Sequence, residues 1–464
     1  MNLHRNQVAD QYLVSTPTNT LAVRTDEVST PLQTQAARGF LAFAGLDRLF
    51  GAKQHRPRLV PRPTQKITIC NESTETELGN TRCKTLLTVS TVIDDNLEAQ
   101  IAQQMRPRVD YLEMARTFQA DLIDYAEARR MGGWFGRWLE KMGGPNLTLA
   151  WASFLQRNNY EVIFTDGEQI GIPLAWFCRL CGTQGARHVM ITHILSVYKK
   201  MIFFDLFRLQ NHVDTFLVYS TWQKRFIEQR WQLAPGRVAY TPFMVDTKFF
   251  SPAAVIPNPR RMISSAGLEC RDYPTLIKVA FQLDVQVVIA AGSPFSKRRD
   301  TTENLLLPPN VSINRLTQYE LRQLYADSLF VVVPLYNVDF QAGVTVILEA
   351  MAMEKAVICS GTPGQTDVVV DGETGLYVPA EDPDALQTAI EYLLAHPAEA
   401  ERMGKAGRRL VEQEMSLDCY TERLNCYVQA AMAKAAPVVT ARQSNQGRFS
   451  FDQNFEKNTE DVTS

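Results

Sequence analysis

The stretch from residue 329 to residue 379 constrains the fold of this 464-residue chain more than any other part of the sequence. Residues 329–334 (LFVVVP) form a short apolar run rich in β-branched side chains, which is typical of a strand buried on both faces of a parallel sheet. A polar loop containing Gly343 follows, and residues 344–353 then have apolar side chains at helical spacing. Residues 356–360 (AVICS) predict a second buried strand. This order of strand, loop, helix and strand predicts a βαβ unit of a parallel sheet.

The helix predicted to begin at Val344 offers a binding site for an anion. A glycine-bearing loop leads into this helix start. The first N–H groups of a helix have no partner within the helix, and partial positive charge collects at this end. We therefore predict that Gly343, Val344 and Thr345 bind a phosphate group of a ligand.

An ordered series of motifs surrounds this helix. After Gly343 come ILEAMA at 347–352, AVI at 356–358 and DGETGL at 371–376. The series resembles the nucleotide-sugar site of the family 4 retaining glycosyltransferases, which have the GT-B fold. The resemblance extends over about residues 187–433 and is strongest from 327 to 379. It implies an α/β protein with two Rossmann-like domains whose parallel sheets face each other across a cleft.

The resemblance implies roles for two residues eight positions apart. The family usually has glutamates at both positions, and Glu349 matches the second, which accepts hydrogen bonds from the ribose diol of the donor. Gln341 stands where the first would fall, beside the donor sugar. Glutamine keeps the shape and the hydrogen-bonding capacity of glutamate but has no charge. If the leaving phosphate takes the proton of the acceptor in a front-face substitution, this position needs orientation more than charge. We therefore expect a catalytic role for Gln341 and retained activity.

Three further residues match the family's site. Arg271 stands where the family has a lysine facing the diphosphate, and Ala266 or Gly267 falls where it has an arginine. The planar fork of arginine binds phosphate well, so Arg271 is expected to be catalytic and Gly267 to contact the donor. His193 ends a predicted strand at 187–193 and matches a histidine that the family places beside the donor sugar. A catalytic role is expected for His193 too.

The activity implied by the resemblance is that of a retaining, hexosyltransferase-like glycosyltransferase. The donor would be a UDP-, GDP- or ADP-linked sugar, and the acceptor a sugar, a lipid or a small molecule. No cofactor and no metal ion are expected, because the amides of the helix start and Arg271 could stabilise the charge that grows on the leaving diphosphate. Two alternatives stay open. One is a catalytically silent GT-B protein that binds a nucleotide sugar or a protein partner, and the other is a sugar-nucleotide epimerase with the same fold.

Length and composition are consistent with two domains of ordinary size, since 45% of the residues are hydrophobic and 21% are charged. We predict a mostly irregular extension over 1–83 with one helix near 32–51. An N-terminal acceptor domain is predicted over 84–250, a C-terminal donor domain over 251–436 and a disordered tail over 437–464. A linker at 242–252 is expected to join the two domains.

Several classes of protein are disfavoured by the composition. A formal net charge of −2 provides no global basic field for binding nucleic acid. No run of about 18 apolar residues predicts a membrane-spanning helix, and the N-terminus lacks the apolar core of a signal peptide. The eight cysteines are sparse, which favours a reducing cytoplasm. We interpret Cys178 and Cys181 as a buried pair of thiols rather than a zinc or redox site.

The N-terminal half also contains recognisable patterns. A first strand is predicted at 85–91, helical patterns at 97–130 and another strand at 160–164. Polar residues at 165–169 lie just past the carboxyl end of that strand, where open α/β sheets bind ligands.

Residues 129–143 (RRMGGWFGRWLEKMG) admit two interpretations. Apolar side chains recur at helical spacing over 134–142, and Arg137 and Lys141 are expected on the opposite face. A basic amphipathic helix with tryptophans is typical of a helix lying on a membrane surface, which would place the protein at the inner membrane face. The other interpretation is a helix that packs on the core and has a solvated face.

Overall fold

Two parallel β-sheets organise the part of the chain that the computed structural model describes, which is residues 84–182, 185–292 and 306–435. The first sheet contains β1 (Thr85–Thr88), β2 (Asp121–Ile123), β3 (Val162–Thr165), β4 (Arg187–Thr192), β5 (Thr215–Val218) and β6 (Val238–Tyr240). The second contains β7 (Met262–Ala266), β8 (Gln286–Ala290), β9 (Val311–Asn314), β10 (Val331–Val333), β11 (Val357–Gly361) and β12 (Gly375–Pro379).

We call each sheet, with the helices that connect its strands, a unit. The helices of the first unit are α1 (Leu97–Ala102), α2 (Asp110–Phe118), α3 (Tyr125–Met131), α4 (Gly133–Gly143), α5 (Pro145–Gln156), α6 (Glu168–Cys181), α7 (Tyr198–Asp205) and α8 (Thr221–Trp231). Those that follow are α9 (Tyr273–Ala280), α10 (Gln318–Asp327), α11 (Val344–Ala352), α12 (Pro383–Ala395), α13 (Pro397–Glu414) and α14 (Leu417–Ala435). The predicted extension over 1–83, its helix near 32–51 and the tail over 437–464 lie outside the described residues.

Strand order is similar in the two sheets. It is β2-β1-β3-β4-β5-β6 in the first and β12-β11-β10-β7-β8-β9 in the second, and every neighbouring pair is parallel. Parallel strands need crossover connections, and helices supply most of those in the described ranges, although β11 and β12 are joined by a loop. The predicted α/β architecture of two Rossmann-like units with parallel sheets is confirmed.

The buried central strand predicted from LFVVVP is β10. Val331 and Val333 pack on one face of the second sheet with Ile347 of α11, whereas Val332 packs on the other face with Ile390 of α12. Because successive side chains of a strand point to opposite faces, a strand covered by helices on both sides must be apolar throughout. The prediction of this strand and of the helix after it is confirmed.

The last helix returns to the first unit. Leu417, Tyr420 and Leu424 of α14 pack against Leu87 and Phe164 of the first sheet. The linker at 242–252 lies beside the start of this helix, because Val245 forms a β-bridge with Ser416.

Arginine side chains bind the linker at several points. Arg408 donates to the carbonyl oxygens of Phe250 and Ala352, at 2.7 and 2.6 Å. Arg108 forms an ion pair with Asp246 at 2.8 Å. Hydrogen bonds to backbone carbonyls keep the path of an irregular segment defined.

Two elements of the first unit differ from the sequence-based prediction. Helical patterns were expected throughout 97–130, but α2 ends at Phe118, Gln119 after it has a left-handed backbone, and β2 follows at Asp121–Ile123. A three-residue edge strand has too little length for a periodic signal, and its pairing with β1 is a tertiary contact. The helix α5 was also missed, because it is buried on nearly all sides and so has no polar stripe.

The predicted faces of the 129–143 helix are wrong. Trp134 and Trp138 of α4 are 75% and 39% exposed, and they share the exposed face with Arg137 and Lys141. Leu139 provides the buried face. These four exposed positions are spaced by three or four residues, so they form one stripe along the helix, which we call the α4 stripe.

Two further observations concern membranes and thiols. Cys181 is exposed and Cys178 is partly buried, so the predicted burial of both thiols is wrong for Cys181. Within the described ranges no helix is long and apolar enough to cross a membrane.

Candidate functional site

A glycine and a helix start form the first part of the candidate site, at the carboxyl end of β10. Gly343 has a φ of 79°, and a Cβ atom there would lie 3.0 Å from Cγ1 of Val333, so the position favours glycine on both counts. The helix α11 begins at the next residue, and no side chain of the described residues caps it. Val344 is buried and Thr345 is exposed. The first amides of α11 are therefore available to an anion.

Arg271 is a buried cation beside this helix start. It is 3% exposed, and it donates from Nε to the Ala266 carbonyl and from Nη1 to the Glu269 carbonyl, both at 2.8 Å. A Cβ atom at Gly267 would lie 2.7 Å from its Nη2, and one at Gly343 3.4 Å from its Nη1. The structure thus brings together Arg271, Gly267 and Gly343, three of the residues predicted from the sequence.

The charge of Arg271 is not neutralised by a neighbouring carboxylate. Across the described ranges its guanidinium forms no ion pair, and its hydrogen bonds go to carbonyl oxygens. A buried charge without a counter-ion is costly. An anionic group bound between Gly267 and Gly343 would offset this cost.

Glu349 lies in the second turn of α11 and is 5% exposed. Its Oε2 accepts a hydrogen bond of 2.9 Å from the Tyr325 hydroxyl. Burial raises the pKa of Glu349 to about 7, against the opposing effects of this hydrogen bond and of Arg271. The carboxylate is directed into the interior rather than into an open groove, so its contact with a ribose stays a prediction.

Two glutamines near the site have amide groups without partners. Both side-chain atoms of Gln341 and of Gln365 are buried and make no hydrogen bond within the described residues. The two loops that carry them touch, because a Cβ atom at Gly364 would overlap the backbone of Phe340. Buried amides normally have hydrogen-bond partners, so these two mark a place where a polar ligand would supply the missing partners. Gln365 was not predicted from the sequence, although it directly follows the segment GTPG at 361–364.

His193 belongs to the first unit, at the carboxyl end of β4. Its exposed ring has Nε2 at 3.2 Å from the backbone oxygen of Asp166, and its backbone N–H donates to Glu168. Burial alone would raise the pKa of Glu168, but Lys200 at 2.7 Å and His193 lower it below its usual range. The ion pair of Glu168 with Lys200 holds the loop that presents His193.

Two carboxylates face His193, and sequence reasoning named neither of them as a site residue. Asp166 accepts hydrogen bonds of 2.7 Å from the Thr88 hydroxyl and from the Ser90 amide. Burial raises the pKa of Asp166 and of Asp110, and the charge of Asp166 adds to the effect on Asp110. Asp166 lies in the polar segment expected at a ligand-binding edge, whereas Asp110 begins α2 and had no sequence signal. In the described part of the chain, no group of three His, Cys, Asp or Glu side chains could hold a metal ion.

Solved structures match both units together. A structure of Anabaena Alr3699/HepE in complex with UDP-glucose superposes with a TM-score of 0.55 at 13% identity, covering 75% of this chain and 99% of that one. Sucrose-phosphate synthase from Thermosynechococcus elongatus has a TM-score of 0.54 at 17% identity, covering 76% and 100%. The fold is GT-B. At these identities the likeness concerns the fold alone.

A family model and curated relatives match part of this GT-B chain. Residues 255–410 match the family model of Glycosyl transferases group 1. An alpha-maltose-1-phosphate synthase of Mycobacterium tuberculosis is 42% identical over 156 residues, which is 29% of this chain and 38% of the relative. A GDP-mannose-dependent phosphatidylinositol monomannoside mannosyltransferase of Mycolicibacterium smegmatis is 44% identical over 63 residues, 14% of this chain and 16% of the relative. The chain thus spans less than half the length of these curated relatives.

The family match includes most of the predicted site residues. Gly267, Arg271, Gln341, Gly343 and Glu349 all lie within 255–410. His193 lies outside this range, in the first unit.

Proposed function

We propose that this protein is a retaining glycosyltransferase that moves a sugar from a nucleotide sugar to an acceptor. The observation that carries the proposal is the buried guanidinium of Arg271, which forms no ion pair with any described residue and lies between two glycines, beside a helix start that no described side chain caps. This arrangement suits a diphosphate. The match of residues 255–410 to Glycosyl transferases group 1 supports the same conclusion.

Each part of the site has a role in the proposed reaction. Negative charge grows on the leaving nucleoside diphosphate, and Arg271 with the first amides of α11 would stabilise it. The unpartnered amides of Gln341 and Gln365 would hold hydroxyls of the donor sugar. His193 would orient the sugar from the first unit, and the leaving phosphate would take the acceptor's proton on the front face. No step of this proposal requires a metal ion.

The donor is proposed to be UDP-, GDP- or ADP-linked, and the acceptor a sugar, a lipid or a small molecule. One structural neighbour was solved with UDP-glucose, and one relative is GDP-mannose-dependent. The nucleotide base of the donor therefore has to be identified by binding measurements. A silent GT-B protein is the alternative, and it would bind a nucleotide sugar without cleaving it.

Thermal unfolding with UDP, GDP, ADP and dTDP, each with and without Mg²⁺, tests the donor site. A ligand at about a hundred times its Kd adds about 2.7 kcal/mol of stability. We expect one nucleotide to stabilise the wild type, Arg271→Gln to weaken its binding about tenfold or more, and Arg271→Lys to retain most of it. Arg402→Gln, which changes an exposed arginine of α13, is the matched control.

Catalysis and stereochemistry need separate measurements. Release of nucleotide from the matching nucleotide sugar distinguishes an enzyme from a silent binder. The anomeric configuration of the product, read by NMR, tests retention. If no nucleotide stabilised the protein at millimolar concentration, the donor-site proposal would fail.

We also propose that the α4 stripe binds an anionic lipid surface at the inner membrane face. Trp134 is 75% exposed, and Arg137 and Lys141 on the same face make no ion pair among the described residues. Exposed tryptophans suit the headgroup region of a bilayer, and unpaired cations suit lipid phosphates.

Sedimentation with vesicles tests this surface. We expect binding to phosphatidylcholine vesicles that contain phosphatidylserine, weaker binding to phosphatidylcholine alone, and loss of both on Trp134→Ala with Arg137→Gln. The control is Tyr392→Ala, which changes an exposed aromatic residue of the second unit. Equal sedimentation of the variant and the wild type would contradict the proposal.

A further inference from the structure

A carboxylate of the second unit is hydrogen-bonded to the first unit. Asp367 lies in the loop after β11, and its Oδ2 accepts a bond of 2.8 Å from the backbone N–H of Thr221. Its Oδ1 accepts a second bond of 2.7 Å from the Thr221 hydroxyl. Thr221 is the first residue of α8, at the carboxyl end of β5. Both oxygens of one side chain are therefore occupied by one residue of the opposite unit.

The helix α8 has its own cap, so it does not depend on Asp367 to begin. The Ser220 hydroxyl accepts a bond of 3.2 Å from the backbone N–H of Gln223. Asp367 is an additional acceptor, supplied from outside the unit, and its charge is favourable at a helix N-terminus. Bonds of this kind, from a neutral donor to a carboxylate, are stronger than neutral pairs. The pair thus joins the two units more than it stabilises α8.

The segment that carries Asp367 also contacts the candidate donor site. We call residues 362–370 the Asp367 loop. It begins with a turn in which the backbone N–H of Gln365 donates to the Thr362 carbonyl at 2.9 Å, and Gly364 lies against the backbone of Phe340. Val368 is buried in the same core as α11. A shift of the loop next to Gln341 would therefore be transmitted to Asp367.

An independent feature indicates that this loop senses a ligand. Gln365 is fully buried, two residues before Asp367, and both atoms of its amide lack a hydrogen-bond partner in the described ranges. The same holds for the amide of Gln341 on the touching loop. A polar ligand that satisfied these amides would hold the Asp367 loop in one arrangement.

We propose that Asp367 is a positioning residue that couples occupancy of the nucleotide-sugar site to closure of the first unit against the second, through its two hydrogen bonds from Thr221. The inference rests on the proposed function of that site. Asp367 would not touch the donor. A bound donor would order the Asp367 loop, and the ordered carboxylate would hold α8 and with it the acceptor side of the cleft in the reactive arrangement.

Hydrogen–deuterium exchange on the full chain tests the coupling. Two regions are followed, the start of α8 over 219–224 and the start of α11 over 343–348, with UDP, GDP and ADP as probes. In the wild type, the nucleotide that binds should slow exchange in both regions. Asp367→Asn should speed exchange of the Thr221 amide about tenfold and abolish its response to nucleotide, since a charge-assisted bond is lost. Protection of α11 should persist in this variant.

A matched control and a second variant complete the experiment. Asp382→Asn removes the charge of another helix-capping carboxylate, one that accepts bonds from within α12, and should leave the 219–224 region unchanged. Thr221→Val removes the hydroxyl but keeps the N–H, so it should weaken the response of the 219–224 region to nucleotide. Thr221→Ser keeps both donors and should behave like the wild type. In turnover assays, Asp367→Asn should lower kcat about tenfold while the Kd of the nucleotide changes less than about twofold.

The outcomes separate the two proposals. Nucleotide protection of α11 with no effect of Asp367→Asn at 219–224 would overturn the coupling and leave the donor site intact. A retained nucleotide response of Thr221 in Asp367→Asn would overturn it as well. If none of the three nucleotides protected α11, the proposed function itself would fail.

Discussion

The Tyr325 hydroxyl donates a hydrogen bond of 2.9 Å to Oε2 of Glu349 in the interior of the second unit. This carboxyl group is buried, and its pKa is raised from 4.5 to about 7. A group whose pKa is higher in the folded state favours folding while it is protonated. Its contribution is therefore complete below about pH 4.5 and is lost as the pH rises through 7.

We predict that Glu349→Gln removes this pH dependence. Relative to the variant, the wild type should lose about 3 kcal/mol of unfolding free energy between pH 5 and pH 8, because each unit of pKa corresponds to about 1.4 kcal/mol. Urea unfolding of both proteins at several pH values measures the difference. A difference that did not change with pH would show that Glu349 is ionised throughout, as a ligand-binding carboxylate would be.

His188 should give a dependence of opposite sign. It is buried in β4, its Nδ1 donates to the His212 carbonyl at 3.2 Å, and its Nε2 lies 3.0 Å from the Thr165 hydroxyl. Burial lowers the pKa of His188 from 6.5 to about 4. The contribution of neutral His188 to the stability of the fold is therefore complete above pH 6.5. It is lost as the pH falls toward 4, because the unfolded state binds the proton more tightly than the folded state.

The test of His188 is acid unfolding compared with His188→Gln. We expect the wild type to lose about 3 kcal/mol relative to the variant between pH 7 and pH 4. The NMR titration of the His188 ring would check the assignment directly. A ring that titrated near pH 6.5 would contradict it.

Gly343→Ala should lower both the stability of the fold and the affinity for nucleotide. An alanine at a left-handed φ costs about 1–2 kcal/mol, and here its Cβ would also lie 3.0 Å from Val333 and 3.4 Å from Arg271. The matched control is Gly372→Ala, whose φ of 72° is similar but whose Cβ would meet nothing within 4 Å. Thermal unfolding and nucleotide titration should show a larger loss at Gly343. Equal losses would mean that crowding at the helix start has no effect.

Arg408→Met should destabilise the linker. Its guanidinium donates to the carbonyls of Phe250, Ala352 and Thr247, and the variant leaves these acceptors without their partner. Because each unsatisfied buried group costs about 1–3 kcal/mol, we expect a loss of about 2–5 kcal/mol in urea unfolding. Lys405→Met on the same helix changes an exposed ion pair with Glu401, and should have no measurable effect.

The elements predicted well have strong local patterns. The run LFVVVP in β10 and the helix α11 could be recognised because burial on both faces requires apolar side chains at every position of the strand. The need for glycine at 343 follows from the sharp turn between the strand and the helix. By contrast, β2 is short and lies at the sheet edge, where its structure comes from pairing with β1. No window of its own sequence contains that information.

The candidate site was predicted in part. Gly343 followed from the local pattern of strand, loop and helix, whereas Arg271 and Gly267 followed from the resemblance to the family's site, and the structure brings the three together. Asp110 had no signal, because it reaches Asp166 only through the packing of α2 on the first sheet. The exposed positions of Trp134 and Trp138 were also misjudged, since α5 determines which side of α4 is covered.

By itself, then, the sequence determined that the chain forms parallel sheets with connecting helices, and that a glycine-bounded helix start offers amides to an anion. These properties depend on periodicity and turn chemistry within about 20 residues. Tertiary structure alone decided that Arg271 lies beside Gly343 with no ion-pair partner in the described part of the chain, and that Asp367 reaches Thr221 in the other unit. Such contacts join residues far apart in the chain, and their geometry follows from how the two sheets pack with their helices.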